Sequence, residues 1–105
     1  MFGYVFDGYI NIEKSDMYEF YLSSDDGSKL MIDNYDVVIN DGCHAAQYVN
    51  GMVGLKKGLH QFKLYYFDNI GGQSLQLEWK GQDFLRRILD DNILFYKPVP
   101  IVVGK

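Results

Sequence analysis

Apolar and polar side chains alternate along most of this chain, and the alternation is interrupted at regular intervals. Tyr18, Phe20 and Leu22 occupy every second position, as do Leu30 and Ile32. Leu75, Leu77 and Trp79 interleave with Gln76, Glu78 and Lys80 in the same way. A period of two puts alternate side chains on opposite faces of an extended strand. The pattern predicts strands over residues 3–13, 17–23, 29–33, 37–39, 48–55, 59–67 and 74–80. In the first, Asp7-Gly8 disturbs the phase set by Phe2, Tyr4 and Phe6, which predicts a bulge or a close backbone approach. Val37-Val38-Ile39 is a continuous apolar run, expected to be buried on both faces. Residues 59–67 carry two apolar rows, Phe62, Leu64 and Tyr66 against Leu59, Tyr65 and Phe67, expected as a central strand covered on both sides.

The interruptions carry turn chemistry. Asp and Asn hydrogen-bond their own backbone, and Gly supplies the positive φ of a tight reversal. Asp25-Asp26-Gly27 predicts one hairpin and Asp33-Asn34-Tyr35-Asp36 a second tight turn. Beyond residue 80, Phe84, Leu85 and Ile88 predict a short C-terminal helical turn within 82–92. Pro98 and Pro100 make 97–105 an extended tail that cannot pair on both edges. Strands spaced about ten residues apart with turns between them indicate an all-β fold, an antiparallel sandwich or barrel.

At 105 residues the chain makes a single domain, 1–105, and 48% hydrophobic residues give it a core. A net charge of −4 and no basic stripe exclude a nucleic-acid partner. No apolar run is long enough for membrane insertion, and the N-terminus lacks the form of a signal peptide. Met1 leads straight into strand-like sequence, so the domain is expected to be excised from a larger secreted protein whose export signal lies elsewhere. Cys43 is a lone cysteine with no internal disulfide partner and no nucleophile motif around it.

Two adjacent carboxylates at one turn repel unless water, a donor or a cation surrounds them. Asp25 and Asp26 therefore support two readings, a solvated turn or a hard-cation site, since Ca²⁺ takes carboxylate and carbonyl oxygens from irregular loops. Glycosidase carboxylates flank a bond from opposite sides, at about 5–10 Å. Neighbours in sequence do not suit those roles, and the chain is expected to be no enzyme. His60 falls in phase with Phe62 and Leu64 and is expected to be a satisfied, partly buried histidine. Trp79 and Tyr66 fall on inward rows, whereas Tyr21 and Tyr35 are the exposed aromatic candidates for ligand contact.

Taken together, several runs resemble the PA14 domain family. They are Gly8-Tyr9-Ile10-Asn11-Ile12, the stretch from Tyr18 through Ser23-Ser24-Asp25-Asp26-Gly27-Ser28 to Asp33, Asn40-Asp41-Gly42-Cys43-His44, Leu55-Lys56-Lys57-Gly58-Leu59-His60 and Leu75-Gln76-Leu77-Glu78-Trp79. The resemblance runs in order over residues 3–96, and the Asp-Asp-Gly-Ser form is that of the bacterial branch. It implies a β-sandwich module attached to secreted glycoside hydrolases, adhesins or toxins, hence an extracellular, periplasmic or cell-surface location. It also implies carbohydrate as the partner. In the fungal adhesin branch paired aspartates and an asparagine from a neighbouring loop hold Ca²⁺, and Asp25, Asp26 and Asn69 match those positions. Asp41 and His44 form a second candidate loop, His44 either meeting a sugar hydroxyl or tying its loop to a backbone carbonyl. The expected function is a non-catalytic carbohydrate-binding accessory module, Ca²⁺-dependent if the matched residues ligate as in the adhesins. The other reading is a structural module that packs against neighbouring domains of its parent chain and has no ligand of its own.

Overall fold

The computed structural model describes residues 2–24, 26–40, 47–68, 75–89 and 92–102. Among the described residues nine strands form two antiparallel sheets: β1 (Phe2–Ile12), β2 (Asp16–Ser24), β3 (Ser28–Ile32), β4 (Tyr35–Asn40), β5 (Gln47–Leu55), β6 (Gly58–Asp68), β7 (Leu75–Lys80), β8 (Arg87–Ile88) and β9 (Leu94–Val102). One sheet has the order β4-β3-β6-β1-β9 and the other β5-β2-β7-β8. The core lies between them. Ile10, Ile12, Phe20, Leu22, Leu30, Ile32 and Phe62 are all at most 1% exposed. At one end of this core Trp79 stacks on Tyr18 at 5.1 Å between ring centroids and meets Phe84 at 4.8 Å.

The chain changes sheet repeatedly, and this alters how its turns work. The acidic turn at 24–28, expected as a hairpin, instead carries the chain from β2 in one sheet to β3 in the other. The residues of a hairpin and of an arch between sheets are alike, so local turn chemistry could not separate them. What makes the arch is burial: Ser24 is 0% and Ser28 3% exposed, and their hydroxyls share a hydrogen bond of 2.6 Å. The β3–β4 connection is a true hairpin, with Asp33 and Asn34 at φ 53° and 67°. Positive φ at both central residues is the two-residue turn that matches strand twist, and Asp and Asn tolerate it.

Several expectations need correction. Residues 82–92 contain no helical turn among the described residues; they bend, and Arg87–Ile88 pairs with β7. Phe84 packs on Trp79, whereas Leu85 and Ile88 are 86% and 75% exposed, so the three apolar residues never shared a helix face. β4 is an edge strand and not a doubly buried one, with Val38 inside and Ile39 58% exposed. β6 is central, but only its Phe62, Leu64 and Tyr66 row is buried, and Leu59 is exposed on the other. The tail pairs on one edge only, as its prolines require: β9 runs against β1 from Leu94 opposite Ile10 to Val102 opposite Phe2.

Candidate functional site

Register fixes where the candidate loops leave the sandwich. Ser24 lies opposite both Gln47 and Leu75, and Ser28 lies opposite both Asn40 and Tyr66. The strand ends that bound 24–28, 40–47 and 68–75 therefore gather at one pole, and at each the chain passes between sheets. Asp25, Asp41, His44 and Asn69 lie outside the described residues, as does Cys43. Asp26 is described, and its backbone is held: the Ser24 hydroxyl donates to its carbonyl at 2.5 Å. One residue on, the Gly27 carbonyl accepts from the Phe67 amide at 2.9 Å. Beneath the arch Asn40 is 2% exposed, and its amide donates toward the carbonyls of Leu22 and Gln47 at 3.5 and 3.4 Å. A buried polar base of Ser24, Ser28 and Asn40 thus sets the shape of this pole, because buried polar groups must find partners.

A cavity of about 470 Å³ opens beside the arch, lined by Gly27, Ser28, Lys29, Ile39, Asn40, Tyr65 and Phe67. Lys29 holds its ammonium 5.3 Å from the Tyr65 ring centre and 3.6 Å from Asp36. Tyr65 and Phe67 were read from the pattern as a buried second row. They are instead half-buried on the outer face, where their rings wall the cavity. The one available signal was position: both are the last aromatics before the 69–74 loop.

The two exposed-tyrosine candidates do not join this pole. Tyr35 is 74% exposed but begins β4, at the far end of β3 from the arch. Four steps of about 3.4 Å along β3 put it roughly 14 Å or more away. Tyr21 lies in the middle of β2 on the outward face, its hydroxyl donating to Glu19 Oε1 at 2.6 Å and the Arg86 guanidinium 3.9 Å from its ring centre. That hydrogen bond to Glu19 leads the causes that raise the Tyr21 hydroxyl's pKa and, with one from Asn50, those that lower the Glu19 carboxyl's. Trp79 and Tyr66 are core residues, each 4% exposed.

His60 is held on both sides. Nδ1 lies 2.6 Å from Asp33 Oδ2 and Nε2 2.6 Å from the Lys56 carbonyl, so the ring ties the β3–β4 hairpin to the β5–β6 turn. Among the described residues no three His, Cys, Asp or Glu side chains group as metal ligands, and of the three calcium donors named above only Asp26 is described. Among the described residues no helix is long and apolar enough to cross a membrane.

A model of one known protein family matches most of this chain. The PA14 domain matches residues 1–92, and the chain belongs to that family. Among solved structures it is similar to an anti-sigma factor domain-containing protein from Clostridium clariflavum, at 32% identity and a TM-score of 0.79, covering 87% of this chain and 31% of that one. The PA14 domain of an antifreeze protein aligns at 21% identity and a TM-score of 0.76, covering 88% of this chain and 50% of that one. A PA14 sugar-binding domain from an RTX adhesin aligns at 24% identity and a TM-score of 0.68, over 81% of this chain and 50% of that one. The chain thus spans between 31% and 50% of the solved chains it resembles. No curated protein matches it in sequence.

Proposed function

We propose that this domain is a non-catalytic carbohydrate-binding module of a longer exported protein, with its site at the arch-bearing pole. The observation that carries the reading is convergence. The strand ends bounding all three candidate loops gather there, beside a cavity of about 470 Å³ walled by the Tyr65 and Phe67 rings and by Asn40, Ser28 and Lys29. A sugar offers an apolar C–H face and a rim of hydroxyls, so a ring wall next to planar polar groups suits it. The adhesin neighbour described as sugar-binding supports the same class of ligand. Asp25, Asp26 and Asn69 would hold Ca²⁺, whose hard charge draws hydroxyl oxygens directly. Asp26 fits that role in kind, being a carboxylate on an arch whose backbone is pinned at its own carbonyl.

Calcium titrated against thermal unfolding tests this. An ion that binds only the folded chain raises its stability by RT ln(1 + [L]/Kd), about 2.7 kcal/mol at a hundredfold excess over Kd. Asp26→Asn should abolish the gain, and binding on a glycan array should vanish with chelator. A flat calcium response and a silent array would leave the second reading, a module that packs against a neighbouring domain. That alternative draws on Tyr9, Phe95 and Leu59, which are 53%, 56% and 65% exposed on the outer face of the five-stranded sheet.

A further inference from the structure

The outward face of β5-β2-β7 is built unlike an ordinary solvated sheet. Opposite Tyr21 stand Asn50 on β5 and Glu78 on β7, and opposite Ser23 stand Tyr48 and Gln76. The Tyr48 hydroxyl lies 2.5 Å from Gln76 Oε1 and 2.9 Å from Glu78 Oε2, and its one proton is shared between these two acceptors. Those acceptors are two strands away, about 10 Å at the inter-strand spacing. The Tyr48 side chain must therefore lie across the sheet over Ser23, which is only 7% exposed although it points outward. Tyr21 lies along its own strand instead, its hydroxyl on Glu19, whose second oxygen takes the Asn50 amide at 2.6 Å. Arg86 closes the set. Its guanidinium carbon is 3.9 Å from the Tyr21 ring centre and 4.5 Å from that of Tyr48, and Nε donates to Glu78 Oε1 at 2.6 Å.

The result is two tyrosine rings lying over a rigid surface, with carboxylate, amide and guanidinium groups fixed around them. Exposed ion pairs alone contribute little to stability, and a pair of stacked rings is not needed to make one. The face is also balanced in charge, Glu19 and Glu78 against Lys80 and Arg86, in a chain whose net charge is −4. That balance disfavours polyanions and polycations and suits an uncharged ligand rich in hydroxyls. Tyr48 remains 37% exposed and the Arg86 side chain 39%, so ring surface and guanidinium edge are both reachable.

We propose that this sheet face is a second carbohydrate surface, separate from the loop pole, which takes a neutral oligosaccharide against the Arg86 guanidinium and the exposed ring edges of Tyr48 and Tyr21 that flank it. Hydroxyls of the bound sugar pair with the Arg86 guanidinium and the amides of Asn50 and Gln76. The surface needs no metal and none of the pole loops, so it stands or falls apart from the function proposed above.

The test is an NMR titration of the ¹⁵N-labelled chain, once in EDTA and once in calcium, with three neutral probes: cellohexaose, xylohexaose and N-acetylchitohexaose. Amide shifts at Tyr21, Tyr48, Asn50 and Gln76 are expected with at least one probe. Tyr48→Ala should weaken that binding about tenfold or more, as loss of an aromatic anchor does, while Asp26→Asn leaves it unchanged. Tyr48→Phe, which keeps the ring but drops the hydroxyl shared by Gln76 and Glu78, serves if the alanine variant fails to fold, and it too should bind more weakly. Shifts confined to the Ser24, Ser28 and Asn40 amides and seen only with calcium would uphold the pole and overturn the sheet face. No shift with any probe at millimolar concentration would overturn it as well.

Discussion

His60 shows how much one side chain can set the pH response of this fold. Burial disfavours its charged form, but the hydrogen bond to Asp33, the Lys56 carbonyl and the Asp33 charge together outweigh burial and raise its pKa above the usual value. The geometry agrees. A carboxylate and a carbonyl only accept, so the neutral ring can satisfy one of them and the imidazolium satisfies both. A folded-state pKa above the unfolded one means that the charged ring stabilises the fold. That contribution is complete below about pH 6.5, the unfolded-state value, and is lost as pH rises through the folded value. Urea unfolding across this range should show stability falling toward high pH. His60→Gln should flatten that slope and cost about 0.5–1.5 kcal/mol at low pH, the usual net worth of a hydrogen bond whose acceptors, here Asp33 and Lys56, are exposed enough to turn to water. A slope unchanged in the variant would assign the pH dependence to other groups.

At the scale of elements, the arch between β2 and β3 depends on one hydroxyl. Ser24 bonds both the Asp26 carbonyl and the Ser28 hydroxyl while wholly buried. Ser24→Ala removes both bonds and takes one partner from the buried Ser28 hydroxyl and one from the half-buried Asp26 carbonyl, so a loss of about 1–3 kcal/mol is expected in chemical denaturation. Faster amide exchange should be confined to Gly27, Ser28 and Phe67, and exchange that rose evenly over both sheets would count against a local role. Such an arch was only half legible in the sequence. The alternation of Tyr18, Phe20 and Leu22 marked β2, and that of Leu75, Leu77 and Trp79 marked β7, because each strand buries one face. The change of sheet between β2 and β3 was not legible, since the turn residues are those of any reversal. Phe84, Leu85 and Ile88 misled for a different reason: spacing suggested a helix, but Phe84 gains more from Trp79 and Tyr18, rings fixed by other strands. Tyr21 could be marked as an outward aromatic, yet the Arg86 placed over it comes from a distant bend and left no local signal.

For the whole molecule, the sandwich is completed by a strand that the family match does not reach. The match ends at residue 92, whereas β9 spans Leu94–Val102 and forms the edge of the five-stranded sheet against β1. β1 is shaped to receive it at Gly8, where a Cβ would sit 1.7 Å from the Phe95 carbonyl oxygen and 2.6 Å from Tyr96 Cα. Both are backbone atoms that cannot rotate aside, so this is the close approach that the disturbed phase at Asp7-Gly8 signalled. The register through it is unbroken on both sides of β1, and no bulge forms. Gly8→Ala must therefore push β9 off β1. Overpacking of this kind costs about 1–3 kcal/mol, and the freed β1 edge presents unpaired amides to other chains. Amide exchange should accelerate along β9 while β2, β5 and β7 keep their protection, and light scattering should show association rising with concentration. A variant that stays monomeric with β9 still protected would mean that the two strands can part at Gly8 without separating. The edge would then be held by its remaining pairs, from Phe2 opposite Val102 to Ile10 opposite Leu94.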